Sequence, residues 1–175
     1  MIQIPDNKIT QKYKEFYNHP IIQSLALNPR WTFSTNKKIP IDIRSLQLKR
    51  KLEWAEFRDE RSLATLPECL KLIPEPANHA YFLDAYQDNL IIVDVEPGCP
   101  SDITDTIMNM PWLYLETSMS GKGYHFVFEF PYQILSKYPH AAEKSVLKHP
   151  DNYFEILIQH YITFTRNIIP RKPGN

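Results

Sequence analysis

The sequence predicts an α+β fold, and two observations lead to this class. Between residues 78 and 170, short apolar runs typical of strands alternate with short segments of helical periodicity. Fifteen prolines against four glycines indicate many short, stiff connections and few long helices. We therefore predict one domain with two lobes: a mixed, more helical lobe over 1–77 and a sheet lobe over 78–170, followed by a tail over 171–175.

The N-terminal lobe is predicted from apolar spacing and from its prolines. Its expected elements are a helix over 8–27 interrupted at Pro20, an aromatic strand over 30–34, and mainly helix over 45–73 with a break at Pro67. Residues 74–78 contain two prolines and an asparagine, which indicates a loop before the sheet lobe.

The second lobe is predicted as strands with short helices between them. The expected strands cover 81–83, 90–96, 112–117, 124–130, 153–158 and 161–165. A turn at 87–89 separates the first two, the third and fourth form a hairpin, and the last two form a strand pair. The expected helices cover 102–110, with Ser101 as the cap, and 137–148.

Composition and charge exclude several classes of protein. The chain has 20 basic residues (lysine and arginine) and 20 acidic residues (aspartate and glutamate), so its net charge does not indicate a nucleic-acid binder. The charge is unevenly distributed, because residues 91–131 contain six acids and one lysine. The chain has no apolar run of about 18 residues and no apolar secretion signal, so we expect no membrane association. Two cysteines are too few for a disulfide framework or a four-thiolate zinc site. We therefore expect a cytoplasmic protein.

Asp94 and Glu96 form the first candidate feature. They follow the apolar run 90–93, and because alternate side chains of a strand point to opposite faces, the two carboxylates share one face. At about 4 Å and an effective dielectric constant near 20, two such charges repel by roughly 4 kcal/mol. A divalent cation held by oxygen ligands would remove that repulsion. A strand end that emerges into water, with both acids solvated, is the alternative.

The second feature is the segment 118–125, Ser-Met-Ser-Gly-Lys-Gly-Tyr-His. Two glycines flank Lys122, so backbone amides can turn toward an anion, to which Ser120 and Lys122 add a hydroxyl group and a positive charge. His125 lies on the strand face opposite to the aromatic residues that follow, and this face could adjoin the carboxylates. The spacing differs from that of a P-loop. A purely structural glycine hairpin is the alternative.

The third feature is Glu155, a single acid within the apolar strand Phe-Glu-Ile-Leu-Ile. A buried, unpaired carboxylate is costly, so we expect a cation, a hydrogen-bonding partner or a solvent-exposed face at this position. Taken alone, Glu155 is the polar side of an amphipathic strand. His160, Thr163 and Arg166 follow it and are available for phosphate contacts.

The order of these features resembles the catalytic signature of the archaeo-eukaryotic primase superfamily, above all the primase–polymerase domains of phage and plasmid replication proteins. The family's paired acids are matched by Asp94 and Glu96, its small residue and histidine by Gly123 and His125, and its third acid by Glu155. Trp31 with Lys-Ile-Pro at 38–40 is similar to a pattern near the start of phage members, so the resemblance covers about residues 30–166.

The chain departs from the family pattern at three points. Glutamate stands at 96 where aspartate is more common, and Gln159-His160 stands where phage relatives often have arginine, which leaves the phosphate contact there in doubt. The helicase domain that usually follows is not part of this sequence.

The resemblance implies an RRM-like antiparallel-sheet primase–polymerase core and a DNA-dependent primase or polymerase activity in the replication of a phage, plasmid or mobile element. Two Mg²⁺ or Mn²⁺ ions are the implied cofactors. Nucleoside or deoxynucleoside triphosphates, a single-stranded DNA template with its primer, and a helicase domain or subunit are the implied partners. The cytoplasm of a bacterium or phage-infected cell is the implied location.

The implied site residues follow from the matched motifs and their surroundings. Asp94, Glu96 and Glu155 would hold the two ions and, with His125, would form the catalytic set. The implied nucleotide-binding residues are Ser118, Ser120, Gly121, Lys122, His125, His160 and Thr163. The implied nucleic-acid-binding residues are Lys37, Lys38, Lys49, Arg50 and Lys51, although the basic run 49–51 is also typical of a solvated helix face.

Three other functions stay open at this point. A non-catalytic nucleic-acid-binding or replication-initiation module could use the same scaffold. A metal-dependent nuclease or nicking initiator would need a His-x-His pair, and Phe126-Val127 follow His125 instead. A protein-interaction domain accounts for the 13% aromatic residues but leaves the grouped acids and the glycine turn as coincidence.

Overall fold

The computed structural model describes residues 9–56 and 59–171 and has a mixed α+β fold with two antiparallel sheets. The described residues divide into two compact units, one containing residues up to Phe82 together with 161–166, the other containing 83–160 together with 167–171. Residue 8 of the first predicted helix, residues 57–58 of the stretch predicted as mainly helix, and residues 172–175 of the predicted tail lie outside the described part. No helix of the described residues is long and apolar enough to cross a membrane.

Eight strands and eight α-helices are described, with a 3₁₀ turn at Glu60–Ser62. The strands are β1 (Trp31–Phe33), β2 (His79–Asp84), β3 (Leu90–Val95), β4 (Tyr114–Thr117), β5 (Tyr124–Glu129), β6 (Val146–Lys148), β7 (Phe154–Leu157) and β8 (Gln159–Phe164). The helices are α1 (Gln11–Asn18), α2 (Pro20–Leu25), α3 (Ile43–Gln47), α4 (Leu66–Leu72), α5 (Ala85–Asp88), α6 (Ser101–Met108), α7 (Tyr132–Leu135) and α8 (Pro139–Ala142).

The interruption predicted at Pro20 is confirmed and has a local cause. Pro20 occupies the first turn of α2, where its missing N–H is not needed, and the His19 ring accepts a hydrogen bond from the Ile21 amide at 3.3 Å. The aromatic strand predicted over 30–34 is confirmed as β1. The 112–117 and 124–130 hairpin is confirmed as β4 and β5, whose Thr117 and Tyr124 are paired.

The prediction of mainly helix over 45–73 is wrong. Helix α3 ends at Gln47 because Lys49 adopts a left-handed conformation (φ 51°), and the Arg50 amide bonds the Ser45 carbonyl at 3.0 Å, as in a Schellman motif. Pro67 does not break a helix but lies in the first turn of α4. The Thr65 and Glu68 side chains and backbone amides cap that turn reciprocally.

Three predictions in the sheet lobe are also wrong. Residues 146–148 form strand β6 rather than the end of a helix, because they pair with the neighbouring strand β7, and this strand pairing outweighs helical propensity. The two last predicted strands are not a pair: β7 lies between β3 and β6, whereas β8 belongs to the other sheet. Ser101 is the first residue of α6 rather than its cap, and the predicted turn at 87–89 contains the end of helix α5.

The second unit is built around a five-stranded antiparallel sheet with the order β4-β5-β3-β7-β6. One face of this sheet is apolar: Val93, Val95, Phe126 and Phe128 join a buried cluster with Ile107 of α6. Because strand side chains alternate, the residues between these positions point to the other face, which carries the ionisable side chains described below. The helix α6 therefore packs on the face opposite to them.

The first unit has an aromatic core that surrounds His79. The rings of Phe16, Tyr17 and Trp31 lie between 5.2 and 6.2 Å from the imidazole, and the Tyr17 hydroxyl lies 3.1 Å from its Nε2 atom. Complete burial, with a smaller contribution from the positive charge of Arg166, lowers the pKa of His79 well below its ordinary value. The ring is therefore neutral in the folded protein at neutral pH.

We predict that the stability of the protein falls as the pH drops below about 6.5, the ordinary histidine pKa. The unfolded chain then takes up a proton at His79 that the folded chain cannot accept, so up to about 1.4 kcal/mol of unfolding free energy is lost per pH unit. Urea unfolding between pH 7 and 5 should show that His79→Gln loses less unfolding free energy per pH unit than the wild-type protein. Exposed His140→Gln is the matched control, and a slope unchanged by His79→Gln would contradict the prediction.

Candidate active site: a row of ionisable side chains across five strands

One register position of the five-stranded sheet carries an ionisable side chain on every strand. Glu116 pairs with His125, His125 with Asp94, Asp94 with Glu155, and Glu155 with Lys148. Directly paired residues of an antiparallel sheet point to the same face, with Cβ atoms about 4.5–5.5 Å apart. The five side chains therefore form one continuous line, which we name the polar row. It joins five strands of the chain.

His125 is the histidine of the polar row and lies between two carboxylates. Only 1% of its side chain is exposed, its Nδ1 atom is 2.9 Å from Glu116 Oε1, and its Nε2 atom is 3.6 Å from Asp94 Oδ1. The second distance is too long for a hydrogen bond. Among the described atoms, Nε2 is buried without a hydrogen-bond partner. Such an atom is uncommon in a folded protein and indicates a place where a ligand could bind.

Glu116 closes one end of the polar row, and sequence reasoning did not select it. Its carboxylate is fully buried, accepts a hydrogen bond from the Tyr114 hydroxyl at 2.7 Å, and contacts His125 as described. The predicted hairpin could have identified Glu116, because the register of β4 with β5 puts Glu116 directly opposite His125.

The other end of the polar row is more open to solvent. The side chains of Asp94 and Glu155 are 21% and 26% exposed, and Glu155 Oε1 accepts a hydrogen bond from Lys148 Nζ at 2.5 Å. The hydrogen bond from Lys148 to Glu155 and the negative charge of Glu155 raise the pKa of Lys148, and the charge of Glu96 makes a smaller contribution. Lys148 was also not selected from the sequence, because its segment was predicted to be helical.

Glu96 lies just beyond the end of β3. Its amide donates to the Tyr153 carbonyl at 2.9 Å, and its side chain is exposed. Alternation along the strand places it two residues after Asp94 on the same side, and its charge acts on Lys148. The structure thus brings the segments of all three predicted metal-binding acids to one region of the sheet.

The chemistry of these acids suits a hard divalent cation, since carboxylate oxygens are the ligands that Mg²⁺ and Mn²⁺ prefer. As the side chains stand, no three His, Cys, Asp or Glu residues among those described surround a common point. Instead, the Lys148 ammonium group supplies the positive charge at Glu155. The donor set and its register fit a cation that would replace this lysine as the partner of Glu155.

The glycine turn is held by its own hydrogen bonds. The Ser118 hydroxyl accepts from the Gly123 amide at 3.2 Å, the Ser118 carbonyl accepts from the Gly121 amide at 2.9 Å, and the Ser120 hydroxyl accepts from the Lys122 amide at 3.3 Å. Gly121 has a φ of 69°, in the region that favours glycine. The Lys122 side chain is exposed. The turn therefore fixes the start of β5 and leaves the lysine directed to solvent.

The remaining predicted binding residues lie elsewhere in the chain. His160 is exposed at the start of β8, while Thr163 belongs to the first unit, is buried, and shares a hydrogen bond with the Ser34 hydroxyl at 3.2 Å. The predicted nucleic-acid contacts also belong to the first unit and are all exposed: Lys37, Lys38, Lys49, Arg50 and Lys51. Arg50 has an ion-pair contact with Glu53 at 3.4 Å.

Comparison with known proteins adds no identification at this point. No family model matches the chain, and no curated protein matches it significantly.

We predict that Gly123→Ala destabilises the protein by about 1–3 kcal/mol, the usual cost of overpacking. A β-carbon at this position would lie 2.4 Å from the Val95 carbonyl oxygen, which is a backbone atom and cannot move aside easily. Chemical denaturation checks the change in unfolding free energy. Gly98→Ala is the matched control because nothing lies within 4 Å of its β-carbon position. Equal stability of the two variants would show that β5 can move away from β3.

Proposed function

We propose that this chain is a nucleotidyltransferase domain of the archaeo-eukaryotic primase type, acting as a primase or DNA polymerase in the replication of a phage, plasmid or mobile element. The observation that carries the proposal is the pairing of Asp94 with both His125 and Glu155. The three motifs of the primase resemblance are far apart in the sequence, and one residue from each motif stands in the same register position.

The fold supports the proposal at the level of architecture. An antiparallel sheet carries the polar row on one face and packs α6 on the other, an arrangement compatible with the RRM-like core that the resemblance implies. The Asp94–Glu155 part of the polar row is its more open part, so a substrate can reach it from solvent. We place the reaction there.

Asp94, Glu155 and Glu96 are the proposed ligands of two Mg²⁺ or Mn²⁺ ions. Two such ions stabilise the attacking and leaving oxygens of an in-line phosphoryl transfer. The carboxylates supply negative charge on one face of the sheet, where β3 holds Asp94 and β7 holds Glu155 at fixed separation. Their positions are set by backbone pairing rather than by flexible loops, which is what a reaction governed by positioning and charge requires.

His125 and the glycine turn are the proposed triphosphate-binding elements. The Nε2 atom of His125 is buried, has no hydrogen-bond partner among the described atoms, and faces Asp94, so it can donate to a phosphate oxygen beside the cations. Lys122 is exposed on the turn before β5 and can contact the outer phosphates of the triphosphate. Ser118 and Ser120 mainly maintain the turn through the bonds described above.

Single-stranded DNA is the proposed template, with a primer and a helicase domain or subunit as further partners. The exposed basic residues at 37–38 and 49–51 of the first unit are the proposed phosphate contacts. Contacts of this kind supply affinity that falls with rising salt concentration and is independent of base sequence.

We predict that Asp94→Asn and Glu155→Gln each reduce template-directed nucleotide incorporation at least about 100-fold, since each removes a charge that the transition state needs. Primer extension with Mn²⁺ or Mg²⁺ and each triphosphate class measures this. Glu129→Gln is the matched control, because Glu129 is an exposed acid on the face of β5 that also carries His125.

Other outcomes of that experiment identify the alternative functions. Folded protein that binds a triphosphate and Mn²⁺ but never extends a primer would be a non-catalytic binding module. Cleavage of single-stranded DNA without added nucleotides would identify a nuclease. Either result would overturn the proposed polymerase activity.

We predict that Lys148→Met tightens Mn²⁺ binding several-fold. The lysine ammonium group is bonded to Glu155 and competes with a cation for that carboxylate, so its removal leaves Glu155 available. Calorimetric titration with Mn²⁺ alone measures the affinity without requiring turnover. Lys144→Met, which removes an exposed lysine four residues away, controls for net charge. Equal Mn²⁺ affinity in the two variants would remove Glu155 from the proposed ligand set.

A further inference from the structure

Glu116 has an unusual environment for a carboxylate. Its side chain is 0% exposed, and two of its contacts are the Tyr114 hydroxyl at Oε2 and the His125 ring at Oε1. Burial of a carboxylate is costly unless hydrogen bonds compensate for it. Its position at the closed end of the polar row separates it from solvent, so it is placed to act on His125 rather than on a substrate.

The contact with Glu116 determines the arrangement of hydrogens on His125. An ionised carboxylate can only accept hydrogen bonds, so an ionised Glu116 places a hydrogen on the Nδ1 atom, 2.9 Å away. The ring orientation is then fixed, and Nε2 necessarily points toward Asp94. Buried histidines at functional sites are commonly oriented in this way by a carboxylate on the far ring nitrogen.

We propose that Glu116, held by Tyr114, is the positioning residue for His125. It directs Nε2 into the open part of the polar row, where this atom meets an oxygen of a bound triphosphate. The contact between Nδ1 and Glu116 keeps the ring from turning, so Nε2 stays directed at that oxygen. The inference rests on the proposed function, because it takes the triphosphate as the ligand.

The first test needs neither a variant nor turnover. Nitrogen-15 NMR of the histidine rings in the metal-free wild-type protein, with His125 assigned by comparison with His125→Gln, reports which ring nitrogen carries hydrogen. We expect a protonated Nδ1 atom. A bare Nδ1 atom with hydrogen on Nε2 alone would overturn the inference, whatever the protein catalyses.

The second test compares Glu116→Gln and Tyr114→Phe with the control Glu129→Gln. We expect Glu116→Gln to weaken binding of dATP or ATP in the presence of Mn²⁺, and to raise the KM for the triphosphate, by about 10-fold with little change in kcat. Tyr114→Phe leaves the carboxylate in place but releases Oε2, so a smaller change in the same direction is expected. Thermal unfolding of each variant shows whether folding is preserved.

The outcomes separate this inference from the proposed function. If His125→Ala weakens triphosphate binding and folded Glu116→Gln does not, the positioning role fails while the proposed function stands. If neither His125→Ala nor Glu116→Gln changes triphosphate binding, the proposed phosphate contact of His125 fails and the inference fails with it. If Glu116→Gln does not fold, Tyr114→Phe with binding equal to wild type overturns the positioning role.

Discussion

The register of β3 with its two neighbours is the constraint on which the candidate site depends. Asp94 faces His125 on one side and Glu155 on the other only because β3 pairs with β5 and β7 at these positions. A shift by one residue would turn every side chain of the strand to the opposite face. The apolar positions Val93 and Val95, buried against the cluster on the far face, make that shift costly and so hold the ionisable groups in place.

The charges of the polar row are compensated unevenly along its length. Glu116 has hydrogen-bond partners at its closed end, and Glu155 has Lys148 at the other end. Between them, the Nε2 atom of His125 and the carboxylate of Asp94 face each other at 3.6 Å without a hydrogen bond. This middle part is where the row has unused hydrogen-bonding capacity, which is why we place the phosphate contact there, next to the cations proposed at Asp94 and Glu155.

Several parts of the fold and site follow from local sequence patterns. The alternation of residues in β3 and β5 predicts that Asp94 and His125 point away from the aromatic core, and the register confirms it. Proline and glycine positions predict the helix interruption at Pro20 and the turn before His125. Predictions based on average helical periodicity are wrong over much of 45–73 and at 146–148, where a left-handed residue and the pairing of β6 with β7 decide the structure.

The sequence by itself determined which residues are chemically able to form a site and which strand faces they occupy, because both depend on residue type and on a two-residue period. Tertiary structure alone decided the strand order, which makes β7 a direct neighbour of β3 and β6 an edge strand. It also brought in Glu116 and Lys148, whose roles depend on the residue across the sheet. Pairing between distant segments is set by the burial of whole faces, which no local pattern specifies.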